Sequence, residues 1–408
     1  MAIDKAGNVI VAGAMKGTVD FGGGPITSPP NGAYFVTKMD AGGKHLWTKL
    51  FGESTDQSIS VNTDADGNVL IACSSSAKID FGGGFLYGAG SSDVFIAKLS
   101  NDGDHLWSNV FGDAGYDRVS SIGVSSQNTI VIAGDFSGTI TFGAETLTNN
   151  DNFTDIFTAG LTSNGSIAWA KNYSCTASLG AVRMALRTDD TIILGGVFFG
   201  KEVSFGGGAL PSAGGTEIYV AALDPMGKHI WSKRFGGPDT QALLGLAVDP
   251  LGNVLLGGHF NAPFDLGGTT LPFMGGSDAF VAKLGTSGEH LWSKRFGDAA
   301  VQSTMVIAAD AIGNVLIGGT MSGTVDFGGG PLTANDQDIS LVALRPDGAH
   351  AWSRRYGGSD TQEINAAVVD NTGNVLIAGN LKGYLNFGGA PLTSAGLTDI
   401  FIAKLAYP

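Results

Sequence analysis

The chain of 408 residues contains 64 glycines, and 15% of its residues are charged. An apolar content of 43% excludes an intrinsically disordered protein, and the glycines do not follow the Gly-X-Y period of collagen. The formal net charge is −14 and no basic stripe is visible, so we expect no nucleic-acid partner. No apolar run of about 18 residues occurs, so we also expect no transmembrane segment.

One sequence unit recurs along the whole chain. A turn position and a tryptophan both return every 60 to 62 residues, the tryptophans being Trp47, Trp107, Trp169, Trp231, Trp292 and Trp352. A period this regular is typical of repeat architectures. We predict a single domain over 1–408 with seven repeats at approximately 1–57, 58–118, 119–180, 181–242, 243–303, 304–363 and 364–408.

Each repeat is predicted to form four short strands, named A to D. In the fifth repeat, strand A covers 243–249 and a turn at 249–252 leads into strand B over 253–258. A glycine-rich segment follows, and then come strand C over 278–284 and strand D over 290–296. No stretch has a helical period. Seven such units predict an all-β, seven-bladed β-propeller, whereas the competing solenoid would have shorter repeats and distinct caps.

The ends of the chain fall inside a repeat. The seventh repeat lacks its outermost strand D and the first lacks the start of strand A, together about 19 residues, the length of 348–366 in the sixth repeat. We therefore expect that the native chain starts upstream of Met1 and carries an export signal there. The alternative is that strand D is dispensable and leaves an open sheet edge.

The motifs Val-Asp-x-x-Gly-Asn-Val, Asp-x-Phe-x-Ala-Lys-Leu and Leu-Trp-Ser-Lys-x-Phe-Gly-Gly resemble the bacterial seven-bladed β-propeller repeat (SBBP) family over all seven repeats. The chain differs in its Asp-Phe-Gly-Gly-Gly segment and in having Trp where many members have Tyr. The resemblance implies an exported or surface-attached bacterial protein, in some cases a lipoprotein. It implies no common catalytic residues.

Several motifs suggest chemistry but are better explained by structure. Asp-Phe-Gly occurs in protein kinases as a magnesium-binding motif, but here it recurs at Asp20, Asp80 and Asp326, which favours a packing and turn role. Asp64-Ala-Asp66-Gly-Asn68 begins like a calcium loop, but its twelfth position is Ser75 rather than Glu. We therefore predict no metal and no cofactor.

Other residue types also have structural interpretations. Five histidines precede tryptophans by two residues, one in each of five blades, so they cannot converge on one metal. The tryptophans are predicted to pack between neighbouring blades. Cys73 and Cys175 are predicted to be free thiols in different sectors.

The candidate ligand-binding residues lie on or before strand A. Arg183 stands among small residues on the strand expected to line the channel, where it binds an anion or fills space beside a carbonyl. A set of polar residues at the start of strand A either bonds the backbone at each blade junction or contacts a ligand: Asp56, Asp117, Gln241, Gln302 and Gln362. No catalytic residues can be assigned.

The favoured function is a non-enzymatic, exported or cell-surface binding or scaffold module, expected to be monomeric. Its loop-rich face would carry the B-to-C and D-to-A loops and bind an unknown protein or carbohydrate ligand. The alternatives are a secreted polysaccharide-active hydrolase or lyase and a purely structural surface repeat protein. Repeats 3 and 4 depart most from the others, through function or through drift.

Overall fold

The computed structural model describes residues 1–52, 58–334, 336–358 and 360–406. These residues form strands, turns and bends and contain no helix. The strands build seven successive blades, which confirms the predicted seven-bladed β-propeller. The chain divides into two compact units, Met1–Leu194 with Lys201–Ala209 and Ala222–Ile230, and Gly195–Gly200 with Leu210–Ala221 and Trp231–Pro408.

The first unit contains blades 1 to 3. Blade 1 consists of β1 (Ala2–Ile3), β2 (Val9–Met15), β3 (Thr18–Asp20), β4 (Pro25–Thr27), β5 (Ala33–Met39) and β6 (His45–Phe51). Blade 2 consists of β7 (Ile59–Thr63), β8 (Val69–Ser75), β9 (Ile79–Asp80), β10 (Phe85–Leu86), β11 (Asp93–Leu99) and β12 (His105–Phe111). Blade 3 consists of β13 (Asp117–Val124), β14 (Ile130–Phe136), β15 (Thr139–Phe142), β16 (Glu145–Thr148), β17 (Asp155–Leu161) and β18 (Ile167–Tyr173).

The fourth blade is divided between the two units. Its strands are β19 (Cys175–Leu179), β20 (Arg183–Leu186), β21 (Ile192–Ser204), β22 (Ala209–Pro211), β23 (Glu217–Leu223) and β24 (His229–Phe235).

The second unit contains blades 5 to 7. Blade 5 consists of β25 (Gln241–Val248), β26 (Val254–Phe260), β27 (Asp278–Leu284) and β28 (His290–Phe296). Blade 6 consists of β29 (Gln302–Ala309), β30 (Val315–Met321), β31 (Thr324–Asp326), β32 (Pro331–Thr333), β33 (Asp338–Leu344) and β34 (His350–Tyr356). Blade 7 consists of β35 (Gln362–Val369), β36 (Val375–Leu381), β37 (Tyr384–Leu385), β38 (Leu392–Thr393) and β39 (Asp399–Leu405). Its main sheet has three strands among the described residues, as predicted.

Strands C and D of the fifth repeat have the predicted bounds, whereas strands A and B differ by up to two residues at their ends. Strand B continues past the glycine pair to Phe260, which is in register with Asp278 of strand C. Strand C is buried along its whole length, because it is the third of four strands and both of its faces are covered.

The glycine-rich B-to-C segment contains strands that the repeat pattern did not predict. In blades 1, 2, 3, 6 and 7 it forms a two-stranded hairpin. The aspartate of the Asp-Phe-Gly motif closes the tip of the hairpin, as Asp20 Oδ1 accepts hydrogen bonds from Gly22 N at 2.7 Å and Gly24 N at 3.0 Å. The ring of His45 packs on Gly23, where an added Cβ would lie 2.2 Å from it. These contacts confirm the turn interpretation of the motif.

A second glycine requirement arises from a bulge in strand A. The register between β25 and β26 shifts between Leu243 and Gly245, which brings the carbonyl of Ala242 close to Gly258. A Cβ on Gly258 would lie 1.8 Å from that oxygen. The same approach occurs at Gly134, Gly319 and Gly379.

Replacing Gly258 with alanine is therefore expected to destabilise the protein. The methyl group meets backbone that cannot move without breaking the bulge, so we expect the free energy of unfolding to fall by about 1–3 kcal/mol. Gly396→Ala is the control, because no atom lies within 4 Å of its added Cβ. Thermal or urea unfolding compares the two variants, and equal stabilities would contradict this role of Gly258.

Candidate functional site

Neighbouring blades are joined by side chains that reach the C-to-D turn of the next blade. In the first unit Trp107 Nε1 donates to the Ser163 carbonyl at 3.1 Å, and Lys98 Nζ donates to the same oxygen at 3.3 Å. In the second unit Trp292 Nε1 and Lys283 Nζ meet at the Pro346 carbonyl, at 3.0 and 3.2 Å. The prediction that the tryptophans pack between blades is confirmed at these positions.

The apparent calcium loop is an A-to-B turn held by an ion pair. Asp64 Oδ1 accepts the amide hydrogens of Asp66 and Asn68, both at 2.9 Å, and Lys98 Nζ lies 2.7 Å from Asp64 Oδ2. Burial opposes ionisation of this carboxyl, but the bonds from Lys98 and Asn68 outweigh it and hold its pKa below the usual range. The lysine therefore supplies the positive charge that a cation would bring, and the turn interpretation is confirmed. Equivalent pairs are Asp4–Lys38, Asp249–Lys283 and Asp370–Lys404.

The three predicted glutamines are buried at separate blade junctions, where they bond the backbone. Gln302 Oε1 accepts from Asp298 N at 3.2 Å, and its Nε2 donates to the Ser322 carbonyl at 2.8 Å. Gln362 bonds Gly358 N and the Lys382 carbonyl, and Gln241 accepts from Gly237 N. These contacts fit the junction interpretation.

The remaining predicted residues lie apart from these glutamines along the chain. Arg183 is the first residue of β20 and is half-buried. The carbonyl of the preceding residue, Val182, accepts a hydrogen bond from Ser121 Oγ at 3.4 Å. Asp56 lies outside the described residues. Asp117 begins β13 and is fully buried.

Strand C begins with an acidic residue in blades 2 to 7, whereas in blade 1 it begins with Ala33; these acids were not among the predicted site residues. In blades 4 to 6 this carboxylate is paired with an arginine from strand D: Glu217–Arg234, Asp278–Arg295 and Asp338–Arg355. In blade 3 Asn172 Nδ2 donates to Asp155 Oδ2 at 3.0 Å. The glutamine of the next blade lies beside the carboxylate. A Cβ on Gly297, for example, would be 2.0 Å from Asp278 Oδ1 and 2.8 Å from Gln302 Oε1.

Blade 2 breaks this pattern. Its strand C begins with Asp93, the strand D position is Val110, and the next blade supplies Asp117 in place of glutamine. A Cβ on Gly112 would lie 2.1 Å from Asp93 Oδ1 and 2.9 Å from Asp117 Oδ2, so the two carboxyl groups converge there. Burial, followed by the negative charges of Asp93, Asp113 and Asp135, raises the pKa of Asp117 to about 7, against the lowering effect of the Asp113 amide.

The hairpin of blade 2 also departs from the other copies. Where blades 1, 6 and 7 have Pro-x-Thr, it has Phe85-Leu86-Tyr87. Phe85 is 52% exposed and Tyr87 67% exposed, and their ring centroids are 6.3 Å apart. Lys78 Nζ lies 4.0 Å from the centre of the Phe85 ring. We call Phe85, Tyr87 and Lys78 the aromatic platform. Comparison of the repeats with one another could have revealed it, but repeats 3 and 4 depart more from the others in overall sequence.

The first unit also contains two cavities, the second of which adjoins the blade 2 hairpin at Asp80, Phe81 and Gly82. One of about 520 Å³ is lined by A-to-B turn residues of blades 1 to 3, including Lys5, Asp64 and Ser126. Another of about 400 Å³ lies at the outer strands of blades 1 and 2, beside Lys49 and His105. The polar lining of the first is already engaged in part, because Ser126 Oγ donates to Asp190 Oδ2 at 2.7 Å.

Both cysteines are buried free thiols, as predicted. Burial raises the pKa of the Cys73 thiol far above its usual value and that of Cys175 to about 12. Neither thiol therefore reacts readily at neutral pH.

Comparison with known proteins assigns this chain to no family. No family model matches the chain. It is 23% identical to an uncharacterized WD repeat-containing protein of Acanthamoeba polyphaga mimivirus, over 85% of this chain and 31% of that protein. The chain thus spans about a third of the length of that relative.

Among solved structures, the chain is similar to the polysaccharide lyase Uly1 (TM-score 0.47, 11% identity, 91% of this chain and 85% of that one). It is also similar to proteins of unknown function from Dyadobacter fermentans (TM-score 0.43, 13% identity, 85% and 93%) and Bacteroides caccae (0.42, 11%, 83% and 92%). Within the described ranges, no helix is long and apolar enough to span a membrane.

Asp64→Asn is expected to lower the free energy of unfolding by about 3 kcal/mol near neutral pH, because it leaves the buried Lys98 ammonium without its counter-charge. Asp66→Asn is the matched control, since Asp66 is exposed in the same turn. The difference in unfolding free energy between the wild type and Asp64→Asn should shrink as the pH falls from about 4 through the lowered pKa of Asp64. The reason is that only the ionised carboxylate stabilises the folded state.

Urea unfolding with and without added calcium tests this prediction. Calcium should stabilise neither the wild type nor Asp66→Asn. Calcium stabilisation that is lost in both variants would instead show that the turn is a cation site.

Proposed function

We propose that this chain is a non-enzymatic binding or scaffold module that contacts a saccharide through the B-to-C hairpin of blade 2. The observation that carries the proposal is the aromatic platform. Two large rings are left half-exposed or more on a hairpin whose counterparts in blades 1, 6 and 7 carry proline and threonine. Exposed aromatic side chains grouped in this way are typical of recognition surfaces.

The chemistry of the platform suits a sugar ring. Aromatic faces pack against the C–H groups of a pyranose, and two rings inclined by 52° can contact two faces or two successive residues of an oligosaccharide. The Lys78 ammonium beside Phe85 can donate to a sugar hydroxyl or to the carboxylate of an acidic sugar. Tyr87 adds a hydroxyl group to the exposed edge of the platform.

The enzyme alternative has less support. Polysaccharide cleavage by acid–base catalysis needs carboxyl groups within hydrogen-bond reach of the substrate. Asp93 and Asp117 converge and differ in environment, as a general acid and its partner would. However, they are 1% and 0% exposed, so a polysaccharide cannot touch them in this structure.

The proposed location is extracellular or on the outer cell surface. It is supported by the resemblance of the repeats to exported bacterial propellers and by the low cysteine content. A scaffold role without a ligand stays the alternative, and it predicts that no saccharide binds.

Restoring the sequence of the other repeats is expected to weaken saccharide binding. Phe85→Pro with Tyr87→Thr converts the hairpin to the form of blades 1 and 6 and removes both rings while keeping the fold. Binding to a panel of immobilised neutral and uronic-acid oligosaccharides should fall by at least about tenfold, since each ring contributes on the order of 1 kcal/mol.

Tyr384→Ala is the matched control, because Tyr384 is a 47% exposed aromatic on the corresponding hairpin of blade 7. It should leave binding unchanged. Binding that survives in the double variant, or no binding by the wild type to any member of the panel, would count against the proposal.

A further inference from the structure

The Asp93–Asp117 junction lacks the arginine or asparagine that bonds the strand C carboxylate in blades 3 to 6. Blades 5 and 6 balance the strand C carboxylate with Arg295 or Arg355 and place Gln302 or Gln362 beside it. In blade 2 both partners are replaced, the arginine by a valine and the glutamine by a second acid. The repeats thus serve as internal controls for what this buried position needs.

The hydrogen bonds at the pair leave one oxygen of each carboxyl group without a partner. Asp93 Oδ2 accepts from Gly90 N at 3.1 Å, and Asp117 Oδ2 accepts from Asp113 N at 3.1 Å. Asp93 Oδ1 and Asp117 Oδ1 are buried and have no hydrogen-bond partner among the described residues. Two ionised carboxylates in this arrangement would be strongly unfavourable.

The charged groups around the pair do not compensate for it. Asp113 comes from the D-to-A loop and Asp135 from β14, and both add negative charge. Arg118 on β13 is paired with Asp135, its Nε lying 2.9 Å from Asp135 Oδ1, and its guanidinium lies 5.9 Å from the ring centre of Tyr116. Three aspartates therefore surround Asp117, and the nearby cation is paired with one of them.

We propose that Asp93 and Asp117 share one proton and act as a pH-sensitive latch on the loop that follows the aromatic platform. The shared proton lets one carboxyl donate to the other, as in paired carboxyl groups that cannot both ionise. This inference rests on the proposed function only in assigning a ligand to the platform; the latch itself does not depend on it.

The latch acts on backbone contacts between two loops. The segment from Gly88 to Ser92 connects Tyr87 to Asp93. Two backbone hydrogen bonds hold it: Ser91 N donates to the Gly115 carbonyl at 3.0 Å, and Asp117 N donates to the Ser92 carbonyl at 2.8 Å. When the proton leaves, repulsion between the two carboxylates pushes these loops apart. The platform is then less ordered, so ligand binding should weaken as the pH rises.

The sign of the stability effect follows from the raised pKa of Asp117. The folded state holds the proton up to about pH 7, whereas an unfolded aspartate loses it near pH ~3.9. The stabilisation is complete below the unfolded value and is lost as the pH rises through the folded value.

Hydrogen–deuterium exchange of the full chain, without any ligand, tests the latch. After correction for the intrinsic exchange rate, peptides covering 85–93 and 112–118 should lose at least about tenfold protection between pH ~5.5 and pH ~8. Asp117→Gln, which reproduces the residue of the later junctions, should remove this pH dependence. Val110→Arg should reduce it by giving Asp93 the partner seen in blades 4 to 6.

Asp117→Asn provides a second neutral variant should the longer glutamine disturb the junction. Peptides covering 297–303, at the junction with Arg295 and Gln302, are the internal control and should be insensitive to pH. Wild-type protection that does not change, or a pH dependence that persists in both neutral variants, would overturn the proposal. So would restoration of protection by calcium at pH ~8, which would make the pair a cation site. Because no ligand is present, failure of saccharide binding would leave this result intact.

Discussion

The arrangement of neighbouring blades within each unit depends on one carbonyl oxygen in the C-to-D turn of the following blade. In blades 1, 2 and 5, lysine from strand C and tryptophan from strand D both donate to it, as Lys98 and Trp107 do at Ser163. The same lysine forms an ion pair with the aspartate of its own A-to-B turn, so one buried cation ties two turns together. A glycine in the receiving turn lets the indole ring approach: a Cβ on Gly165 would lie 2.9 Å from Trp107. These contacts lie at the turn end of the strands, so the opposite loops are free to vary.

The period and motifs of the repeat were sufficient to predict the blade count and the bounds of strands C and D. The B-to-C hairpins and the strand A bulges could not be predicted, because they depend on contacts between segments distant in the chain, such as Gly258 with the Ala242 carbonyl. Asp117 was singled out as polar, but its partner Asp93 was not. The carboxyl groups of Asp93 and Asp117 come together because the start of strand C in blade 2 lies against the start of strand A in blade 3. The sequence alone does not show how these two strand ends are aligned.

Blade 2 concentrates the departures that have chemical consequences. The replacements at Phe85, Tyr87, Val110 and Asp117 each break a rule that other blades follow, and they lie on or beside the same pair of loops. A buried pair of acids and two exposed aromatic rings both cost stability. Local violations of this kind are expected at functional sites, where the surrounding repeats supply the rigidity that tolerates them. The platform and the latch are connected by a few residues of glycine-rich backbone, so order in one affects the other.

We propose that one sector of this repeated fold carries the binding function. Isothermal titration calorimetry with an oligosaccharide from the panel tests it through the stoichiometry. The account predicts one site per chain, with affinity that falls as the pH rises from about 5.5 to about 8. Several equivalent sites per chain would show that the repeated features bind the ligand, and would contradict the account.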